Sequence, residues 1–154
     1  MSATSPTVRR ADAADVPAIL AMLADDDLTR ARGYATLEVT DRHRAAFAAI
    51  DADPNQFLAI VEDGGVPLGS FQLTFIPGLS RGGALSALLE GVRVASAARG
   101  QGIGASMLAW IVEECRRRGC TDLQLTSDSS RTDARRFYER HGFVASHVGM
   151  KRTL

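Results

Sequence analysis

The sequence lacks the features that mark several specialised classes of protein. It has only two cysteines, Cys115 and Cys120, which are too few for a cysteine-based zinc site, and a disulfide is not expected in the cytosol. We therefore interpret both as packing residues. No apolar run approaches the roughly 18 residues that a membrane-spanning helix needs. Lysine and arginine together number 18, as do aspartate and glutamate, so the formal net charge of zero creates no field that favours nucleic acid or an anionic membrane.

What remains is the composition of an ordinary globular protein. The chain has 154 residues, of which 45% are hydrophobic and 23% are charged, and this length is enough for one domain with a substantial core. The sequence contains no internal repeat and no linker, so we predict a single domain over residues 1–154. Residues 1–7 are polar and lack the apolar centre of a signal peptide, and we therefore expect a cytoplasmic protein.

The chain alternates between strand and helix patterns. Apolar residues at helical spacing, preceded by good capping residues, predict helices, and short β-rich runs bounded by turn residues predict strands. In order, these are a strand at 7–10, a helix capped by Asp12 with Asp15 in its first turn, an irregular segment at 28–39, a helix at 41–51 capped by Thr40, strands at 56–61, 68–76 and 84–94, a helix at 103–118, a strand containing Leu123 and Leu125, a short helix ending at His141, and one or two closing strands within 143–154.

A glycine-rich turn between the strand at 84–94 and the helix at 103–118 is the most distinctive feature. It reads Arg99-Gly100-Gln101-Gly102-Ile103-Gly104. Glycines at alternate positions let the backbone bend sharply and approach a ligand closely, because they have no Cβ. The first N–H groups of a helix have no partner within it, and the aligned peptide dipoles make that end electropositive. The pattern therefore predicts an anion site, most often one for phosphate, to which Arg99 adds a positive charge.

Two familiar phosphate-binding motifs fit this turn poorly. A P-loop ends in Gly-Lys-Ser/Thr, but here Gly104 is followed by Ala105 and Ser106. The dinucleotide fingerprint G-x-G-x-x-A matches the letters from Gly100 to Ala105, yet it belongs at the tip of a strand near the start of a doubly wound sheet. Too little chain follows for the second half of such a sheet, and the acid near the expected spacing, Asp122, is predicted to begin a strand rather than to end one.

Two motifs together carry a family resemblance. The segment from Val92 to Gly104 resembles the acetyl-CoA-binding motif of the GNAT superfamily of N-acetyltransferases, whose core pattern is R/Q-x-x-G-x-G/A. Residues 134–143, which read Ala-Arg-Arg-Phe-Tyr-Glu-Arg-His-Gly-Phe, resemble the A-x-x-F/L-Y-x-x-x-G-F signature of the same superfamily. Either motif alone is weak, but the two in this order are specific. The resemblance covers residues 84–143 well and residues 7–76 only by the order of elements.

The resemblance implies an α+β fold with a mixed, mostly antiparallel central sheet and helices on both faces. It also implies acetyl-CoA as co-substrate and no metal. In this family the pantetheine arm pairs with the backbone of the strand that precedes the turn, and the pyrophosphate takes the N–H groups of the turn. The implied cofactor-binding residues are Val92, Arg93, Val94, Arg99, Gly100, Gln101, Gly102, Ile103 and Gly104.

Tyr138 is the leading catalytic residue by this resemblance. It matches the superfamily's tyrosine, which resembles a general acid toward the departing CoA sulfur. A phenol with a pKa of about 10 is protonated at neutral pH and can donate to a developing thiolate. The alternative is a purely structural role, in which Tyr138 anchors a short helix beside Phe137 and Phe143.

Glu90 is the candidate base, because an acid within an otherwise apolar strand is costly unless it is paired or used. It is placed to deprotonate the amine through a water or to bind its ammonium form, with a structural ion pair as the alternative. In a regular strand Glu90 shares a face with Val92 and Val94, although a bulge in this strand, common in the family, would change that.

One position departs from the family pattern in a way that bears on the cofactor, and one acidic segment allows two interpretations. Arg131 stands three residues before Ala134, where many members have an Asn, so a side-chain contact to the pantetheine is lost or becomes a charged one. The acidic triplet at 25–27 ends the first long helix. We interpret it as a solvated turn, with a collar for a cationic amine substrate as the alternative.

The sequence therefore predicts an acetyl-CoA-dependent N-acetyltransferase. The acceptor is a primary amine, either a small molecule or a protein lysine or N-terminus, which attacks directly in a ternary complex. The alternatives are a non-catalytic acyl-CoA sensor, which needs neither acid nor base, and an oxidoreductase. The presence of both Glu90 and Tyr138 favours the enzyme. We expect no nucleic-acid or membrane partner, and the resemblance is compatible with a homodimer.

Overall fold

Five strands and six helices follow one another in residues 6–154, the part of the chain that the computed structural model describes. The strands are β1 (Thr7–Arg10), β2 (Gln56–Asp63), β3 (Val66–Pro77), β4 (Leu85–Val94) and β5 (Asp122–Leu125). The helices are α1 (Val16–Ala24), α2 (Asp27–Ala31), α3 (Asp41–Ala52), α4 (Ser80–Gly83), α5 (Ile103–Arg117) and α6 (Thr132–Arg140). Short 3-10 turns precede α1, at Ala13–Asp15, and the glycine turn, at Ser96–Ala98.

The predicted helix caps are confirmed. Asp12 accepts a hydrogen bond from the N–H of Ala14 at 2.8 Å, and Asp15 accepts one from the N–H of Asp12 at 2.8 Å, which together form a capping box before α1. Thr40 caps α3 in the same reciprocal way, because its Oγ1 accepts from the N–H of His43 and the ring Nδ1 of His43 accepts from the N–H of Thr40. These caps fix where both helices begin.

The strands form one sheet in the order β1-β2-β3-β4-β5, in which the first three neighbouring pairs are antiparallel. Helices cover both faces. Phe71 lies on one face, with its ring 5.8 Å from that of Trp110 on α5. Ile60 pairs with Ser70, the residue before Phe71, and therefore lies on the opposite face, where it packs in a core cluster with Ile19 of α1. The predicted α+β fold, with a mostly antiparallel sheet and helices on both faces, is confirmed.

Two parts of the predicted element order are wrong. Residues 28–31, predicted to be irregular, belong to α2, because Asp26 accepts from the N–H of Thr29 at 2.8 Å and caps a short helix. Residues 143–154 form no strand, although one or two were predicted there. The side chains of Val144, Val148 and Met150 are 80–92% exposed. An alternating pattern produces a strand only where it pairs with a partner backbone, and residues 143–154 pair with no strand among the described residues.

The described chain divides into two compact units, one ending at Gln124 and the other running from Leu125 to Leu154. The first unit holds the sheet down to the first three residues of β5, together with α1–α5. The second holds α6 and the residues after it. The single domain expected from the sequence stays a prediction. Across residues 6–154, no helix has the length and apolar character needed to cross a membrane.

Candidate functional site

A bulge interrupts the pairing of β4 with β3 just before the glycine turn. Glu90 pairs with Gln72 and Arg93 pairs with Ser70, so β4 has two residues, Gly91 and the one after it, where β3 has one. Gly91 adopts a φ of 60°, a left-handed conformation that favours glycine. An extra residue of this kind bends the strand and shifts its alternation by one position.

The bulge decides which side chains share a face with Glu90. Glu90 and Arg93 both lie on the face that α1 covers, because their partners on β3 alternate with the residues packed on α5. Val94 pairs with Gly69, a residue packed against α5, and therefore lies on the opposite face. The shared face of Glu90 and Val94 that a regular strand would give is therefore absent, because the strand has the bulge that the family resemblance allowed for and its extra residue reverses the alternation.

Beyond the bulge, the backbone of β4 is open along one edge within the first unit. The N–H of Thr121 donates to the carbonyl of Leu85 at 2.9 Å, and the Ser86 hydroxyl donates to Asp122 at 2.9 Å, so β5 begins beside the start of β4. At about 3.3 Å per residue, the four residues of β5 extend about 10 Å, whereas the pantetheine-binding candidates at 92–94 begin about 20 Å from Ser86. Their N–H groups on that edge are therefore available to an extended ligand, whereas the carbonyls of Val92 and Val94 accept hydrogen bonds from the Arg93 and Arg99 side chains at 2.8 and 3.3 Å.

The glycine turn presents an uncapped helix end. Gly100 and Gly102 have φ values of 75° and 78°, and a Cβ added at either would meet nothing within 4 Å. Gly102 is the N-cap of α5 and supplies no side-chain cap, and the first intrahelical bond runs from the N–H of Ser106 to its carbonyl at 3.1 Å. The side-chain amide of Gln101 stabilises the turn by donating a hydrogen bond to the Ala97 carbonyl at 3.0 Å. The N–H groups of α5 that come before Ser106 thus face an open surface, and such a helix end suits an anion.

Arg99 links the turn to the end of α1. Its guanidinium donates to the backbone carbonyl of Val94 at 3.3 Å and to the carboxylate of Asp25 at 3.2 Å. Its own N–H donates to the Ser96 carbonyl at 3.3 Å, so the backbone donors predicted for a pyrophosphate are more readily supplied from Gly100 onward. The Arg99 side chain remains 53% exposed and still adds positive charge beside the turn.

A row of polar side chains accompanies Glu90 on the α1 face of the sheet. The Gln72 amide donates to the Gln56 carbonyl oxygen at 2.9 Å, and the Thr74 hydroxyl donates to the same oxygen at 3.0 Å. All three residues are half-buried, whereas Glu90 is exposed. Arg93 also lies on this face and donates to the Val92 carbonyl at 2.8 Å. The first unit therefore combines an uncapped helix end, an open strand edge and a carboxylate that shares its face with three neutral polar side chains and Arg93.

Tyr138 lies on α6 in the second unit. Its ring makes edge-on contacts with Phe137 and Phe143, at centroid distances of 5.3 and 5.5 Å, so the half-buried tyrosine is part of a small aromatic cluster. This packing agrees with the anchoring role and is compatible with the acid role. Arg131, at the N-cap position of α6, makes no side-chain cap and is half-buried; its N–H donates to the Asp128 carbonyl at 2.9 Å.

Asp122, the acid that a dinucleotide site would use, is held in place by its neighbours. Partial burial acts to raise the pKa of this carboxyl, but hydrogen bonds from Ser86, Arg81 and Thr121 outweigh burial and hold the pKa below its usual value. These bonds tie the turn between β3 and β4 to the start of β5. The carboxylate therefore has a local structural role.

Neither cysteine has the character of a nucleophile. Both are free thiols, and Cys115 is buried. Burial raises the pKa of Cys115 to about 12 and also raises the pKa of Cys120, so both thiols stay protonated at neutral pH. Within residues 6–154, no cluster of three or more His, Cys, Asp or Glu side chains is arranged to hold a metal ion.

Sequence reasoning missed the polar row and the pairing of Arg99 with Asp25. The polar row has a signal in the sequence, because Ser70, Gln72 and Thr74 alternate with apolar residues in a strand whose neighbours are strongly β-forming. The ion pair between Arg99 and Asp25 has no signal in the sequence, because the two residues lie 74 positions apart and are brought together only by the fold.

A family model provides the broadest comparison with known proteins. Residues 20–143 match the model of the acetyltransferase (GNAT) family. Among curated proteins, the aminoalkylphosphonate N-acetyltransferase of Salmonella typhimurium is 34% identical over 111 residues, which span 72% of this chain and 71% of that protein. The family match, over residues 20–143, includes the glycine turn and covers more than half of the chain.

Solved structures give the same fold. A structure described as a transcriptional regulator from Bacillus halodurans is 42% identical, with a TM-score of 0.91 over 97% of this chain and 100% of that one. The glucosamine-6-phosphate N-acetyltransferase of Arabidopsis thaliana has a TM-score of 0.77 over 97% of this chain and 98% of that one, at 18% identity. At that identity the likeness concerns the fold alone.

Proposed function

Because this chain belongs to the GNAT acetyltransferase family, we propose that it transfers the acetyl group of acetyl-CoA to a primary amine by direct attack in a ternary complex. The observation that carries the proposal is the uncapped, glycine-lined start of α5, which follows, after the 3-10 turn at Ser96–Ala98, a strand whose edge is open in the first unit. An anionic pyrophosphate and an extended amide-bearing arm are the two chemical features of CoA that such an arrangement suits.

In this proposal the cofactor is held mainly by backbone groups. The pantetheine amides pair with the edge of β4 at Val92, Arg93 and Val94, and the pyrophosphate accepts hydrogen bonds from N–H groups of the turn and the first turn of α5. Arg99 adds charge near the pyrophosphate while it remains bonded to Asp25. Backbone binding leaves the side chains of β4 free to pack in the core or to face the acceptor.

The chemistry then needs one base and one acid. The neutral amine nitrogen attacks the thioester carbon, its lost proton passes to Glu90 directly or through water, and the carbon–sulfur bond breaks as the tetrahedral intermediate collapses. Tyr138 gives its phenolic proton to the departing CoA sulfur, so a thiol and an amide result. Glu90 is supported by its exposed carboxylate on the α1 face, and Tyr138 by its place in the second sequence motif.

We propose a small primary amine as the acceptor, ahead of a protein lysine or N-terminus. The relative that is 34% identical is named for aminoalkylphosphonates, which are small primary amines with an oxygen-rich group. Release of free thiol from acetyl-CoA in the presence of 2-aminoethylphosphonate and related amines, followed by mass spectrometry of the product, tests this choice. Acetylation of peptides alone would contradict it.

Tyr138→Phe tests the assignment of the acid. Removing the phenolic hydroxyl is expected to lower kcat about 100-fold or more, since general acids contribute that much, while the Kd for acetyl-CoA stays unchanged. Tyr34→Phe is the matched control, because Tyr34 is the other tyrosine and its side chain is 77% exposed. Full activity in Tyr138→Phe would remove Tyr138 from the mechanism. Tight acetyl-CoA binding without transfer to any amine would favour a non-catalytic sensor.

A further inference from the structure

The two faces of the central sheet differ sharply in chemistry. On the face that packs against α5, five apolar side chains in the central parts of β3 and β4 are at most 3% exposed; they are Phe71, Leu73, Phe75, Ala87 and Leu89. On the opposite face the central parts of the same two strands carry Ser70, Gln72, Thr74 and Glu90, with Leu88 as the apolar residue among them. Polar side chains on central strands are unfavourable unless they make hydrogen bonds. We therefore asked what these side chains on the face opposite α5 bind.

Hydrogen bonds inside the row hold it in one arrangement. The oxygen of the Gln56 amide accepts from both Gln72 and Thr74, at 2.9 and 3.0 Å. These bonds use one N–H of Gln72 and the O–H of Thr74, whose oxygen keeps its lone pairs. The second N–H of Gln72, its amide oxygen, and the N–H groups of Gln56 remain to bind something else. A half-buried surface with fixed donors and acceptors is preorganised to recognise a polar group.

The row lies next to the carboxylate assigned as the base. Gln72 pairs directly with Glu90 across the two strands, and Cβ atoms in such pairs lie about 4.5–5.5 Å apart. An amine near Glu90 therefore has the Gln72 amide within reach of a group that is about two to four bonds from its nitrogen. Thr74 and Gln56 extend the same surface away from the base.

Resting on the proposed acetyltransferase function, we infer that the row Gln56, Gln72 and Thr74 is the specificity surface for the acceptor. It selects small primary amines that carry a hydroxyl, phosphonate or other oxygen-bearing group a few bonds from the nitrogen. The amine faces Glu90, the oxygen group hydrogen-bonds to the amides of Gln72 and Gln56, and the Thr74 oxygen, whose proton is donated to Gln56, accepts from a ligand hydroxyl. Plain alkylamines of the same length leave these groups unpaired and are rejected.

Isosteric amines test the inference within a single enzyme preparation. 3-Aminopropan-1-ol and butylamine have the same number of non-hydrogen atoms, and their ratio of kcat/KM cancels differences in enzyme folding and cofactor binding. We expect the wild type to prefer the amino alcohol by about tenfold, the value of one substrate hydrogen bond in a partly exposed site. 2-Aminoethylphosphonate is expected to exceed both.

Two variants and one control test whether the preference for the amino alcohol over butylamine depends on Gln72 and Thr74. Gln72→Met, which keeps the length of the side chain, and Thr74→Val, which keeps its shape, are each expected to bring the ratio within about twofold of one, with the KM for acetyl-CoA unchanged. Thr7→Val makes the same chemical change on β1, at the far edge of the sheet, and should keep the wild-type ratio.

The outcomes separate this inference from the function on which it rests. A wild-type ratio near one, or a ratio unchanged in both variants, overturns the specificity surface while the acetyltransferase stands. Binding of acetyl-CoA with no acetylation of any oxygen-bearing amine in the panel overturns it as well. If acetyl-CoA fails to raise the Tm of the wild type, the proposed function itself fails and the inference fails with it.

Discussion

Gly69→Ala tests how closely the sheet and α5 approach each other beneath the cofactor strand. Gly69 lies on β3, opposite Val94, in a place where a Cβ would come within 2.7 Å of the Met107 sulfur and 2.8 Å of the Arg93 carbonyl oxygen. Met107 is 1% exposed, so its side chain has little free space in which to move. The carbonyl of Arg93 is backbone and moves only if β4 moves.

The size of the effect follows from these contacts. Relieving them requires shifts of about half an ångström in both neighbours, and overpacking of this kind typically costs 1–3 kcal/mol. We expect Gly69→Ala to lower the free energy of unfolding by about 2 kcal/mol, which corresponds to a decrease in Tm of about 4–8 °C for a domain of this size. Because Arg93 belongs to the proposed pantetheine edge, the Kd for acetyl-CoA should also increase.

Thermal unfolding followed by circular dichroism measures the first effect, and calorimetric titration with acetyl-CoA measures the second. Gly78→Ala is the matched control, since the nearest atom to its added Cβ is the Ala84 carbonyl oxygen at an ordinary 3.8 Å. The control should change the Tm by less than about 2 °C. A Gly69→Ala protein with wild-type Tm and wild-type affinity would refute the packing described at this position.

Three further predictions concern the turn, a buried hydroxyl and acid stability. Gly102→Ala and Gly65→Ala both force alanine into a left-handed φ in open space, so each should lose about 1 kcal/mol of stability, but only Gly102→Ala should weaken binding of acetyl-CoA in a calorimetric titration. Ser70→Ala should leave the free energy of unfolding in urea unchanged or raise it by up to about 1 kcal/mol, because this buried hydroxyl has no hydrogen-bond partner among the described residues; a loss above 1 kcal/mol would contradict this. Hydrogen bonds from Arg9 hold the pKa of Asp15 below its usual value, so Asp15 adds stability above pH about 4 that is lost as the pH falls through its folded pKa, and the deficit of Asp15→Asn in urea unfolding should shrink on acidification.

Local signals predicted much of the fold. Asp12 and Thr40 cap helices at the positions expected from their side chains, because a capping residue acts on N–H groups only two or three positions away. The strands β3 and β4 and the helix α5 followed the apolar period in the same way, since each buries mainly one face or one stripe. The glycine turn was also predicted from the sequence, because a backbone position with a positive φ in open space strongly favours glycine.

The parts that were missed depend on more than one segment. A bulge in β4 was expected only as a common feature of the family; its position at Gly91 needs a comparison of β4 with β3, and the face occupied by Glu90 follows from that position. The short helix α2 depends on one capping carboxylate in an acidic triplet that also suits a turn. The C-terminal residues have a strand-like alternation but form no strand, because pairing is decided by neighbours and not by the segment itself.

Several expectations from the sequence stay predictions. The oligomeric state is one, since the resemblance is compatible with a homodimer but no feature of the chain requires it. The cytoplasmic location is another. The role of Arg131, which stands where many family members have an Asn, is a third, and Arg131→Asn with a calorimetric titration of CoA addresses it. An unchanged Kd would mean that this position does not contact the pantetheine.

Thermal shift with acetyl-CoA, CoA and NAD(P) tests the central claim most directly. A ligand that binds only the folded state raises the Tm according to its concentration relative to its Kd. The account predicts that acetyl-CoA and CoA both raise the Tm of the wild type and that NAD(P) does not. No rise with either CoA species, or a rise with NAD(P) alone, would contradict the assignment of the glycine turn and of every role built on it.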